Sequence, residues 1–175
     1  MLDTLITSKT RIKLLLKFFL NSSTQGYLRN LESEFGDSTN AIRLELNKFE
    51  QAGMLASTTE GNKKIFKANT EHPLFPEIQA LVRKYIGLDR IIEQVIGRVG
   101  DLQLVCLVGD YARGIDSGKM EVVLVGENLN ADYLDKMSTK AQEIIHRKVH
   151  YTTLSPAAFS DKNYPDSHCL VLWES

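Results

Sequence analysis

The chain has 175 residues, 43% of them hydrophobic and 25% charged, and its net charge is −1. Those values suit a soluble globular protein of one medium domain or two small ones, and they exclude a global basic field of the kind that marks nucleic-acid coats. The charge is uneven: residues 1–72 hold ten Lys/Arg against eight Asp/Glu, and residues 73–175 hold eleven against fourteen. Cys106 and Cys169 lie in apolar, strand-like runs and read as buried thiols. With no signal peptide and no apolar run of transmembrane length, the expected compartment is a reducing cytoplasm, with no membrane partner.

From about Leu2 to Leu20, Leu5, Ile12, Leu15, Leu16 and Phe19 recur at helical spacing, with Lys9, Lys13 and Lys17 on another face. Asn21-Ser22-Ser23 reads as a break. Tyr27, Leu28, Leu31 and Phe35 predict a short second helix ended by Gly36. Asp37 or Ser38 can cap a third, whose inward face is Ile42, Leu46 and Phe49, with Gly53 at its end. Met54 to Thr59 and Lys63 to Ala68 flank Glu60-Gly61-Asn62 and predict a hairpin. Ile78, Leu81, Val82 and Tyr85 then form a helical stripe, followed by Gly87 and a helix around Leu88 to Val99. Two β-rich runs, Leu102–Val108 and Met120–Val125, enclose a loop with Gly109, Gly114 and Gly118. A helix capped by Asn130 or Asp132 runs to about His146. The strand Lys148–Leu154, a turn at Ser155-Pro156, a polar loop over 160–167 and a last strand Cys169–Trp173 complete the chain. The fold class expected is α+β. Its domains are 1–72, a linker or dimerisation helix over 73–87, and 88–175 with a mixed sheet and flanking helices.

Three helices followed by a hairpin is the order of a winged helix-turn-helix. Ser-Lys-Thr-Arg-Ile-Lys-Leu-Leu at 8–15 and Phe-Glu-Gln-Ala-Gly-Met-Leu at 49–55 resemble winged-helix repressors of the ArsR and MarR type. With Ile42, Leu46 and Phe49 inward, the outward arc of the third helix gathers Asn40, Arg43, Leu44 and Asn47. These are residue types that can read base edges in a major groove. Ser38 and Thr39 at the helix start and Lys63 and Lys64 on the hairpin are candidate phosphate contacts. The plainer reading is a solvated face on a structural helix, with Leu44 packing against another protomer. The resemblance implies a homodimer paired through the first helix and the Ile78–Tyr85 stripe, bound to double-stranded DNA.

The stretch Val108 to Gly126 carries the second resemblance, to the minimal nucleotidyltransferases of the DNA polymerase β-like superfamily. Gly109, Ala112, Arg113 and Gly114 match their Gly-Ser-x-Ala-Arg-Gly turn, which in that family holds nucleotide phosphate. Two Asp on one strand face then bind Mg²⁺. Here Asp110 stands in place of the Ser, Lys119 in place of the first metal Asp and Glu121 in place of the second. An ammonium offers no lone pair to a metal, and no Asp or Glu occurs from Ile144 to Ser160 to act as a third ligand. The scattered histidines 72, 146, 150 and 168 show no metal-ligand spacing.

The function expected is a DNA-binding transcriptional regulator whose second domain is a catalytically degenerate sensor or scaffold, with no catalytic or metal residues and no cofactor. Gly109, Asp110, Arg113, Lys119 and Glu121 are the candidate ligand-binding residues there, for a nucleotide or another anion as effector. The alternative is an active metal-dependent nucleotidyltransferase modifying a protein or small molecule, with Mg²⁺ held by Asp110, Asp116 and Glu121. A toxin–antitoxin pairing, which some minimal nucleotidyltransferases form, has no support in these residues.

Overall fold

The computed structural model describes residues 2–96, 98–162, 164–165 and 168–175. The chain divides into two compact units, Met1–Tyr85 and Ile86–Ser175. Among the described residues no helix is long and apolar enough to cross a membrane.

The first unit opens with α1 (Leu2–Leu5) and α2 (Lys9–Leu15), which continues as a wider π-helical turn over Leu16–Leu20. The single helix expected over 2–20 is interrupted because Ser8 caps α2, its hydroxyl accepting from the Arg11 amide at 3.2 Å. A two-residue strand, β1 (Gln25–Gly26), then precedes α3 (Leu28–Phe35) and α4 (Thr39–Gln51). Gly36 ends α3 in the left-handed region, and Ser38 caps α4 by accepting from the Ala41 amide at 3.2 Å. The strands β2 (Leu55–Glu60) and β3 (Lys63–Ala68) form the hairpin, and β1 pairs with β3 to make a three-stranded antiparallel sheet. Sequence periodicity could not show β1, since two residues carry no alternation. A side chain at Gly26 would meet Leu31 and Phe18, so the glycine lets this strand lie close to the core.

Phe18, Phe19, Leu31, Ile42 and Leu46 form the centre of that core, each contributing roughly 1.5–3 kcal/mol on burial. Arg11 and Glu45, Lys13 and Asp37, and Lys17 and Glu34 are ion-paired at 2.7, 2.8 and 2.8 Å. They tie α2 and its continuation to α3, to α4 and to the turn between those two helices. Helix α5 (Phe75–Ile86) follows, with Val82 buried, Ile78 and Tyr85 half-buried and Leu81 exposed.

The second unit comprises α6 (Leu88–Val95), β4 (Asp101–Val108), α7 (Gly109–Ala112), β5 (Lys119–Glu127), α8 (Ala131–Ile145), β6 (Lys148–Leu154), α9 (Pro156–Lys162) and β7 (Cys169–Glu174). Its sheet has the order β6-β5-β4-β7, with β5 and β6 parallel and the other pairs antiparallel. The architecture is therefore α+β with a mixed sheet. Alternation along β5 sends Met120, Val122 and Leu124 to the face packed by α6 and α8. The opposite face carries Lys119, Glu121, Val123 and Val125, and Phe159 of α9 packs there beside Val123, Val125 and Cys106.

Helix α9 falls where a turn and loop were expected. Its signal was legible: Pro156 stands at the first helical position, and Ser155 caps it by accepting from the Ala158 amide at 3.2 Å. Residues 163, 166 and 167 of the expected loop, and Gly97 of the helix expected over 88–99, lie outside the described residues.

Candidate functional site

Strand β4 delivers the chain to Gly109, whose φ is +70°. A side chain there would be strained, and its Cβ would overlap the Glu121 carboxylate. The left-handed backbone favours glycine at this point, and the Glu121 carboxylate from the next strand lies against the turn. The one-turn helix α7 is anchored by buried Tyr111 and Ala112, while Asp110 and Arg113 pair with each other at the surface. Strand β5 places Lys119 and Glu121 on one face, with Lys119 Nζ 2.7 Å from Glu121 Oε1. On the parallel neighbour β6, Lys148 is in register with Lys119 and His150 with Glu121. Gly109, Arg113, Glu121, His150, Thr152 and His168 line an open cleft of about 540 Å³, flanked by Tyr164. A shallower basin adjoins Lys119 along the same strands, lined by Gly118, His146, Arg147 and Lys148.

Asp116 does not point its charge into this cleft. Its carboxylate accepts from Arg147 at 2.7 Å and from the Tyr111 hydroxyl, and Arg147 Nε donates to that hydroxyl at 2.7 Å. Burial pushes Asp116 up, but hydrogen bonds from Arg147 and Tyr111 outweigh it and hold the pKa below the ordinary 3.8. Burial, reinforced by Asp116, raises the Tyr111 phenol. This triad pins the glycine loop to the start of β6. Neither Tyr111 nor Arg147 carried a sequence signal, because what joins them is a tertiary contact across 36 residues.

The donors at these positions can be set against what a metal requires. Mg²⁺ takes hard oxygen ligands in near-octahedral geometry, and protein sites supply it with carboxylates. Arg147 and the Tyr111 hydroxyl hold Asp116 away from the cleft, which leaves Asp110 and Glu121, each in an exposed pair, without a third carboxylate. Among the described residues no three His, Cys, Asp or Glu side chains gather to hold an ion. The set Asp110, Asp116 and Glu121 does not fit a resident Mg²⁺. Arg113 also offsets the charge that Asp110 brings to the turn.

In the first unit, Arg43, Asn47, Lys63 and Lys64 line one groove, joined by Tyr27, Arg29 and the apolar Leu46 and Phe66. Asn40 and Leu44 are exposed on the same helix, and Thr39 begins it. The Ser38 hydroxyl is engaged in its cap. Lys64 is held by Glu50 at 2.6 Å, and Lys63 lies over the Tyr27 ring at 4.7 Å. Tyr27 and Arg29 were missed because β1 and the start of α3 reach the groove only through the sheet.

No protein-family model matches the chain, and no curated protein does. Several solved structures are similar in shape. One is a Shewanella oneidensis complex of a tri-AMPylated HEPN toxin with MNT antitoxin, at 16% identity and TM-score 0.38, covering 50% of this chain and 69% of that one. Another, from Archaeoglobus fulgidus, is 19% identical at TM-score 0.38, covering 53% and 98%. A third, from Sulfolobus solfataricus, is described as a candidate nucleotidyltransferase and is 20% identical at TM-score 0.38, covering 55% and 86%.

Two expectations are corrected here: that the chain is a DNA-binding regulator with an idle second domain, and that it is no enzyme. One of the similar structures is a toxin–antitoxin complex, and another is described as a candidate nucleotidyltransferase. In the second unit Glu121, Arg113, His150 and His168 line an open cleft.

Proposed function

We propose that the second unit is a nucleotidyltransferase acting on a hydroxyl group of a protein or small molecule. The observation that carries this reading is the convergence of polar groups from the Gly109 turn, β5 and β6, together with Tyr164 and His168, on one open cleft. Gly109 shapes the turn, Arg113 and His168 meet phosphate oxygens, and the face of Tyr164 lies within reach of a base. In the reaction the acceptor oxygen bonds to the α-phosphorus, the bond to the pyrophosphate oxygen breaks, and pyrophosphate leaves. Glu121 takes the acceptor's proton. The Gly109–Gly114 turn supports a nucleotidyltransferase-like fold for this unit. The order of helices and hairpin supports a winged helix for the first, with pairing of two copies through the first helix and the Ile78–Tyr85 stripe. We place the chain in the cytoplasm.

The test is transfer of label from nucleoside triphosphates carrying phosphorus-32 at the α position, with the whole chain, protein extracts and hydroxyl-bearing small molecules as acceptors. Labelled product that is lost in Glu121→Gln is expected. No labelled product, or product unchanged in that variant, would overturn the reading.

A further inference from the structure

We infer that the cleft and the basin adjoining it bind nucleotide phosphates without a divalent ion, the ammonium groups of Lys119 and Lys148 in the basin supplying the positive charge. This rests on the reading of the second unit as a nucleotidyltransferase. Lys119 and Lys148 are direct partners on parallel strands, and adjacent strands lie about 4.8 Å apart. Both residues are exposed, and alternation along β5 and β6 puts them on the same face as Glu121 and His150. Like charges in register destabilise a sheet. Glu121 neutralises one of the two ammoniums, and among the described residues no carboxylate is paired with Lys148. The pair is one anion short.

The surroundings favour a phosphate as that anion. Gly118, beside Lys119, has no side chain and open space around its Cα, so a bulky group can approach the ammonium. Arg113 and His150 line the cleft on one side of Glu121, and His146 and Lys148 line the basin on the other. An extended triphosphate therefore meets donors along its whole length, and Lys binds phosphate as a point charge. The Lys119–Glu121 pair is half exposed, with side-chain exposures of 51% and 40%. Such a pair is weak, so phosphate can take Lys119 and release the Glu121 carboxylate for the acceptor's proton.

Calorimetric titration of the whole chain with ATP, once in excess EDTA and once in Mg²⁺, tests this. Binding in EDTA is expected, with affinity similar to that in Mg²⁺. Lys119→Ala and Lys148→Ala should each weaken it by about tenfold, or roughly 1.4 kcal/mol, while Lys119→Arg keeps most of it. Circular dichroism would confirm that the variants fold. Binding that requires Mg²⁺, or binding in EDTA that neither alanine variant weakens, overturns the inference and leaves the nucleotidyltransferase reading standing. Absence of binding in both buffers overturns both.

Discussion

The two units differ in where the ion pairs named above lie. In the first, ion pairs join the α2 helix and its continuation to α3, α4 and the turn between them, and Lys17 is buried with Glu34 as its partner. In the second, Lys119–Glu121 and Asp110–Arg113 lie half exposed beside an open cleft, and Arg147–Asp116 is tucked in. A buried pair cannot be exchanged without leaving a charge unsolvated, so it fixes geometry. An exposed pair costs little to break, so it can trade its partner for a ligand.

The largest effect that would sharpen this contrast is expected for Glu34→Ala. It strands the Lys17 ammonium and should destabilise the first unit by about 3 kcal/mol, read as a lowered urea midpoint, with nucleotide binding unchanged. Arg147→Ala comes next. It leaves Asp116 and the Tyr111 hydroxyl without their shared donor and should cost the second unit about 2 kcal/mol. A loss of less than half a kcal/mol, by the same urea titration, would break the claim that this pair fixes geometry.

The acid limb of stability has a definite sign. Asp37, Glu45 and Asp116 are pushed up by burial, yet Lys13, Arg11 and Arg147 outweigh it and lower their pKa below the ordinary 3.8 or 4.5. Their stabilisation is complete above those ordinary values and is lost as pH falls through the lower folded values. Urea midpoints should be flat from about pH 7 to 5 and decline below about pH 4. Arg147→Ala should flatten that decline for the second unit.

Gly109→Ala should cost about 1–2 kcal/mol from its left-handed backbone and also displace Glu121, weakening nucleotide binding. Lys64→Ala should be the mildest. It removes an exposed pair with Glu50 and should change stability by less than about 1 kcal/mol in thermal unfolding.

How far the sequence could be read follows from the range of each signal. The caps Ser38 and Asn130, the left-handed Gly36 and the alternation of β5 are local, and each appears where it was expected. The outward arc of α4 is local too, so Asn40, Arg43, Leu44 and Asn47 are exposed as predicted. Function was not legible from identity alone. Asp110 and Asp116 looked available as ligands, and their real partners Arg113 and Arg147 appear only in three dimensions. The replacement of a metal ligand by Lys119 suggested a dead site, but the side chain leans onto Glu121 instead of filling the cleft.

Both units offer polar grooves, so the most direct measurement asks which of them takes the nucleotide. The whole chain is irradiated with a photoreactive azido-ATP, and the labelled peptides are identified by mass spectrometry. The account predicts label in the segments around 109–121 and 148–168, competed away by ATP. Label confined to the groove of Tyr27, Arg43 and Lys63 would contradict it.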